Sequence, residues 1–152
     1  MSRNVDWSGL RVLCGPDDPA IAAEAPSLRP FDERTTALLT ALSAKLNRSP
    51  LPDVATFAFF CRKASLTRLA EPYAADTDRL GRGLVFHIAP SNVPINFAYS
   101  LVAALLAGNA SIVKASSRDF EQVRAVCAAL RELLDGRGPP QVGAGRVPLR
   151  AR

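Results

Sequence analysis

Two runs decide the fold of this chain: GLVFHIAPSNVP at residues 83–94 and LAGNASIVK at residues 106–114. Residues 84–89 are a short apolar run that ends at Pro90, which is typical of a parallel strand in a sheet covered on both faces. Residues 110–114 form a second apolar run, and helix-spaced apolar residues separate the two. The stretch therefore predicts an α/β fold built on one βαβ unit with a right-handed crossover.

The helix inside this unit has clear start and stop signals. Pro94 suits its first turn, because the amide hydrogen that proline lacks would be unpaired there. Gly108 is placed for the left-handed position just past the helix, and Asn109 continues the turn. The predicted buried stripe of this helix consists of Phe97, Leu101, Ala104 and Leu105.

A second amphipathic helix follows the second strand and completes a βαβα unit. Ser116 or Ser117 is a candidate cap, and apolar residues recur at helical spacing as far as Asp135. Its predicted apolar face consists of Phe120, Val123, Val126, Cys127, Leu130 and Leu134. Residues 136–152 are rich in Gly, Pro and Arg without a period, so we predict a disordered basic tail that contains no further strand.

The chain before the βαβα unit divides into an arm and two helices. Residues 1–30 are broken by prolines and predict an irregular arm with one short strand at residues 10–13. Residues 31–135 are predicted to combine a helical segment with the βαβα unit. Asp32 is a candidate cap for one helix, and Asp53 is a candidate cap for another that runs to about residue 70. Three phenylalanines in the latter, interpreted as packing residues, are Phe57, Phe59 and Phe60.

Composition excludes several classes of function. The 152 residues are 48% hydrophobic and 22% charged, as expected of one globular domain. The net charge is +5, but the tail contributes four arginines and no acid, so the body is close to neutral and no nucleic-acid binding is predicted. The apolar run at residues 99–107 is too short to span a bilayer, so no membrane segment is predicted.

The three cysteines do not form a recognisable site. Cys14, Cys61 and Cys127 are far apart and odd in number, which predicts neither a disulfide framework nor a metal site and fits a reducing cytoplasm. Cys61 and Cys127 lie among helical apolar residues and are interpreted as packing thiols. His87 lies in the middle of an apolar run and is interpreted as an interior residue whose polar groups are satisfied, with no chemistry assigned to it.

Polar residues that follow the two strands are the candidate site. Asn92 is either an amide donor to a developing oxyanion or a loop residue that caps the helix. Lys114 is either a contact to a nucleotide or a solvated strand end. Ser116, Ser117 and Arg118 offer donors to an anion such as a phosphate at a helix start, or simply a cap beside an exposed arginine.

These residues also resemble a known family. PSNVP at 90–94 and LAGNASIVKASS at 106–117 resemble the Pro-x-Asn-x-Pro and Ala-Gly-Asn to Lys-Pro-Ser-Glu segments of the aldehyde dehydrogenase superfamily. FAFFCRKA at 57–64, VFHIAPSNVP at 85–94 and SSRDF at 116–120 resemble more closely its acyl-CoA reductase branch, the LuxC-type fatty acid reductases of bioluminescence and their non-luminous relatives.

The resemblance covers about residues 31–135 and implies that they hold a helical segment and the first half of a Rossmann-type, NADP-binding coenzyme domain like that of aldehyde dehydrogenases. It implies that Asn92 donates to the oxyanion of a thiohemiacetal and that Lys114 contacts the adenosine ribose. Ser117 stands where many NAD-preferring relatives have a glutamate, so with Arg118 beside it NADP(H) is the expected coenzyme. The family reaction reduces an acyl thioester, carried by CoA or by a protein, to an aldehyde.

In the family, the nucleophilic cysteine follows in sequence that has no counterpart here. We therefore expect a truncated reductase that is inactive alone. An oligomer is left open for the full-length protein. Two alternatives stay open from the sequence. One is a non-catalytic nucleotide-binding or interaction module, and the other is a fragment of another aldehyde or semialdehyde dehydrogenase.

Overall fold

The computed structural model describes residues 11–16, 18–75, 78–135 and 149–151. Within these ranges a four-stranded sheet has the order β1-β4-β3-β2. The strands are β1 (Arg11–Cys14), β2 (Leu84–Ile88), β3 (Ala110–Lys114) and β4 (Leu149–Ala151). β2 and β3 are parallel and in register from Leu84 beside Ala110 to Ile88 beside Lys114, which confirms the predicted parallel pair.

The last strand corrects the prediction for the tail. β4 pairs in parallel with β3 and antiparallel with β1, so the expectation that no strand follows the last helix is wrong for Leu149–Ala151. A segment can pair with β3 through main-chain hydrogen bonds alone, without alternating apolar side chains. The composition of the tail therefore did not indicate β4. Residues 1–10, 136–148 and 152 lie outside the described ranges. The strand expected at residues 10–13 is β1, one residue later.

Five α-helices accompany the sheet in the described ranges: α1 (Glu33–Leu46), α2 (Pro52–Phe60), α3 (Lys63–Ala70), α4 (Asn96–Leu106) and α5 (Glu121–Leu134). Two short 3-10 helices lie at Pro19–Glu24 and Glu71–Tyr73. α1 begins as predicted, because a carboxylate oxygen of Asp32 accepts the amide of Arg34 at 3.0 Å. No helix in these ranges has the length and apolarity needed to cross a membrane.

The second predicted helix is two helices. The helix is interrupted at Arg62, whose backbone is extended. The Arg62 amide donates to the carbonyl of Phe59, three residues back, so the regular hydrogen bonds of an α-helix do not continue across this position. Asp53 is not the cap of α2, which begins one residue earlier with Pro52 as its first residue. Phe57 is buried as predicted, but Phe59 is 58% exposed, with the Arg62 guanidinium 3.3 Å from its ring centroid.

α4 ends as its sequence predicts. The Gly108 amide donates to the carbonyl of Leu105 and the Asn109 amide to that of Ala104, both at 3.0 Å, and Gly108 has φ +83°. This pattern is a Schellman motif. The helix starts at Asn96, two residues after Pro94, and the predicted stripe of Phe97, Leu101, Ala104 and Leu105 is buried.

α5 starts later than predicted, after Phe120, so neither Ser116 nor Ser117 caps it. Its apolar face is otherwise as expected, with Val126 and Leu130 among its buried residues. Together with α1, α2 and α4 this helix encloses the main core, which also includes Cys14 of β1 and Val113 of β3.

The two faces of β2 differ. His87 points towards α4, where it contacts a helical serine. The alternate residues Leu84, Phe86 and Ile88 are 42%, 55% and 73% exposed. The expectation that both faces of this strand are covered is therefore wrong for the described residues. The 3-10 helix at Pro19–Glu24 contacts the neighbouring strand β3.

Candidate functional site

The candidate site lies at the carboxyl edge of the parallel pair. Ile88 and Lys114 are neighbours in register and are the last residues of β2 and β3. The loops that carry Asn92 and Ser116 to Arg118 therefore leave the sheet at one edge. Ligands in α/β sheets usually bind at this edge. The two groups of polar residues that the sequence singled out therefore follow strands that end at the same edge.

The loop before α4 presents Asn92 to solvent. The Ala89 amide donates to the carbonyl of Lys114 at 3.0 Å, which extends the pairing one residue past β2 and fixes the start of the loop. The Asn96 amide donates to the carbonyl of Val93 at 3.2 Å, which closes the turn into the helix. Asn92 is exposed between these anchors, so its side-chain amide is available to a ligand at the edge.

The loop after β3 uses one of its two serines internally. Ser116 is buried, and its hydroxyl oxygen accepts the amide of Arg118 at 3.1 Å. This turn leaves the side chains of Ser117 and Arg118 exposed, close in sequence to the exposed Lys114. Because α5 begins only at Glu121, the cluster is not at a helix start, and its attraction for an anion depends on side-chain charge.

The acids that follow this loop in sequence lie beside Arg124. The Asp119 carboxylate forms an ion pair with the guanidinium of Arg124, and a Glu121 oxygen lies 3.9 Å from the same group. The exposed charges that precede them, on Lys114 and Arg118, are both positive. A donor set of one lysine, one arginine and a serine hydroxyl fits a phosphate-bearing nucleotide.

His87 has a partner for each ring nitrogen. Nδ1 lies 2.6 Å from the hydroxyl oxygen of Ser100, and Nε2 lies 3.3 Å from that of Ser111. Burial lowers the pKa of His87, so its imidazole is neutral at pH 7. The prediction that the polar groups of His87 are satisfied is confirmed, but the residue is half-buried rather than interior. Sequence reasoning missed Ser100 and Ser111, although a lone serine inside the apolar α4 indicates a side chain that needs a polar partner.

None of the three cysteines has the features of a nucleophile. All are free and buried. Burial is the largest cause of their raised pKa values, about 11 for Cys14 and about 12 for Cys61 and Cys127. A nucleophilic thiol needs the opposite, a lowered pKa and exposure. In the described ranges, no three side chains of the metal-binding types form a group that could hold a metal.

At pH 8, we expect none of the three cysteines of the native protein to react within minutes with a thiol reagent such as DTNB. In urea we expect all three to react. Folding keeps these thiols neutral and covered. Since the native pKa values lie above the ordinary 9.0, the stability from neutral thiols is complete below pH 9 and is lost as the pH rises towards 12. A native thiol that reacts at the rate of free cysteine would contradict the described burial.

A family model described as "Acyl-CoA reductase (LuxC)" matches residues 21–136. The match spans most of the chain and includes both loops of the candidate site. No curated protein matches the chain.

Proposed function

Because this chain belongs to the acyl-CoA reductase (LuxC) family, we propose that it serves the NADPH-dependent reduction of an acyl thioester to an aldehyde. In this proposal the βαβα unit is the first half of a coenzyme domain like that of aldehyde dehydrogenases. The observation that supports it best is the placement of Asn92 and Lys114 at one edge of two paired parallel strands. The thioester is carried by CoA or by a protein.

Asn92 is proposed as the oxyanion donor. When a nucleophile attacks a thioester carbonyl, negative charge develops on the oxygen, and a preorganised amide N–H stabilises that charge. The loop of Asn92 is fixed at both ends by main-chain hydrogen bonds, so its position does not depend on the substrate. Removing one donor of this kind typically lowers kcat by about 100-fold or more.

The coenzyme is proposed to lie along the adjacent loop. Lys114 would contact the adenosine ribose, and Ser117 and Arg118 would face the 2′-phosphate of NADPH. Ser116 supports them by fixing the turn through its hydrogen bond to Arg118. The Asp119 carboxylate is paired with Arg124, so it does not offer an unpaired negative charge to that phosphate. When bound, NADPH supplies the hydride of the reaction.

The thiol nucleophile of the reduction is the part of the chemistry that the cysteines of this chain do not supply. Cys14, Cys61 and Cys127 are buried thiols with raised pKa values, and they are the chain's three cysteines. We therefore propose that this chain alone binds the coenzyme but does not turn over an acyl-CoA. Sustained oxidation of NADPH by the purified chain with acyl-CoA would contradict this part of the proposal.

We expect the purified chain to bind NADPH saturably, and Lys114→Met to weaken this binding by about tenfold or more. A charge-assisted hydrogen bond contributes about 1.5 to 3 kcal/mol, which corresponds to that change in Kd. The measurement is a titration of NADPH fluorescence. The matched control is Lys63→Met, since Lys63 is an exposed lysine on α3. Equal weakening by both variants, or no saturable binding, would refute the assignment.

A further inference from the structure

The chain's one histidine lies in a line of three hydrogen-bonding side chains. Ser100 of α4 is exposed, His87 of β2 is half-buried, and Ser111 of β3 is fully buried. In the tautomer protonated on Nε2, that nitrogen donates to the Ser111 oxygen at 3.3 Å. Nδ1 then accepts the hydroxyl proton of Ser100 across 2.6 Å. The buried serine orients the ring, and the ring faces an exposed hydroxyl.

We propose that Ser100 is an acyl acceptor, activated by His87 as its general base, and that it takes the acyl group of an acyl-CoA. A nucleophile, a base within hydrogen-bond reach and a third group that orients the base are the parts that covalent acyl transfer requires. Burial keeps the imidazole neutral at pH 7 and therefore able to accept a proton. By contrast, Ser65 on α3 donates to a main-chain carbonyl, which cannot act as a base.

The position of Ser100 agrees with this role. It lies about one helical turn from the start of α4, and α4 starts at the sheet edge that carries Asn92. β2 is an edge strand of the described sheet, so no described strand pairs with its other side. The Asn92 loop leads directly into the helix that carries this hydroxyl. The identity of the acyl donor rests on the proposed function, whereas the activated hydroxyl rests on the three side chains alone.

The transfer needs no oxidant or further reactant. The Ser100 oxygen attacks the thioester carbonyl while its proton moves to Nδ1 of His87. The tetrahedral adduct then collapses, the carbon–sulfur bond breaks, and His87 returns the proton to the departing thiolate. The products are an ester on Ser100 and free CoA thiol, with no change of oxidation state.

Two probes test the proposal on the whole chain. Octanoyl-CoA should add one octanoyl group, located on Ser100 by peptide mass spectrometry. A fluorophosphonate, which reports an activated serine without any CoA site, should label the same residue. Ser100→Ala should abolish both modifications. His87→Gln should slow both by about 100-fold, and Ser111→Ala by about tenfold. Ser65→Ala is the matched control and should leave both rates unchanged.

The two probes separate this inference from the proposed function. Fluorophosphonate labelling of Ser100 without octanoyl transfer would retain the activated serine and overturn acyl-CoA as its donor. Labelling spread evenly over exposed serines, or unchanged rates in a folded His87→Gln, would overturn the activation itself. If His87→Gln does not fold, the rates of Ser111→Ala test the activation of Ser100 instead, and unchanged rates would overturn it. NADPH binding is measured separately and does not depend on any of these results.

Discussion

Gly108→Ala and Gly81→Ala are each expected to lower the free energy of unfolding by about 3 kcal/mol or more. A Cβ on Gly108 would lie 2.1 Å from the carbonyl oxygen of Leu28, and a Cβ on Gly81 would lie 2.1 Å from the carbonyl oxygen of Gly108. Both obstacles are main-chain atoms that cannot rotate away. Gly108 adds the strain of φ +83° in a residue with a side chain.

The cost is large because the obstructing atoms belong to a hydrogen-bonded junction of three loops. The Leu28 amide donates to the carbonyl of Gly108 at 2.9 Å, and the Gly81 amide donates to the carbonyl of Leu28 at 2.8 Å. The Asn109 side chain joins the same junction, since its oxygen accepts the Arg82 amide at 2.6 Å. Relief of either clash would break at least one of these bonds. The junction precedes both β2 and β3, so it fixes the strands that carry the site.

Gly83→Ala is the matched control for these two variants. Gly83 has φ +106°, but nothing lies within 4 Å of the Cβ that alanine would add. It should therefore cost only the conformational strain, about 1 to 3 kcal/mol, and less than Gly108→Ala, which adds the clash. Urea denaturation followed by circular dichroism measures all three variants. If Gly83→Ala costs as much as Gly108→Ala, backbone conformation rather than crowding explains the effect, and the described junction is wrong.

Two features that depend on adjacent residues were predictable from the sequence. The Asp32 cap and the left-handed Gly108 depend on residues next to them in sequence, and the structure confirms both. The crowding at Gly81 was not predictable, because the atom that it meets is 27 residues away and no local pattern reports it. The break between α2 and α3 was missed although it is local, because nothing in the apolar pattern marks it. The apolar period continues across Arg62 while the carbonyl of Phe59 accepts that residue's amide.

The candidate site shows the same division. The apolar runs of β2 and β3 predicted that Asn92 and Lys114 follow neighbouring parallel strands, and pairing in register places both at one edge. The contact of His87 with Ser100 and Ser111 joins a strand, a helix and a second strand, so it depends on packing that no single run encodes. The uncovered face of Phe86 was missed because an apolar run gives no information about what packs on it.

The coenzyme assignment makes the last prediction: Ser117→Glu is expected to shift the ratio of NADPH to NADH affinity by about 100-fold towards NADH. The Ser117 side chain is exposed, so a longer residue fits without disturbing the core. A carboxylate there would repel the 2′-phosphate of NADPH and accept hydrogen bonds from the two free ribose hydroxyls of NADH. A shift of that size corresponds to about 2.7 kcal/mol.

Ser117→Gln separates charge from size in this experiment. Glutamine has nearly the shape of glutamate but no negative charge, so it should shift the ratio much less if repulsion of the phosphate decides the preference. Titrations with both coenzymes at low and high salt add a second test, because a charge effect at an exposed position weakens as salt screens it. An unchanged ratio in Ser117→Glu, with the fold intact, would place the 2′-phosphate away from this loop. Weakened binding of both coenzymes by glutamate and glutamine alike would instead show that Ser117 is crowded by the coenzyme, whichever form is bound.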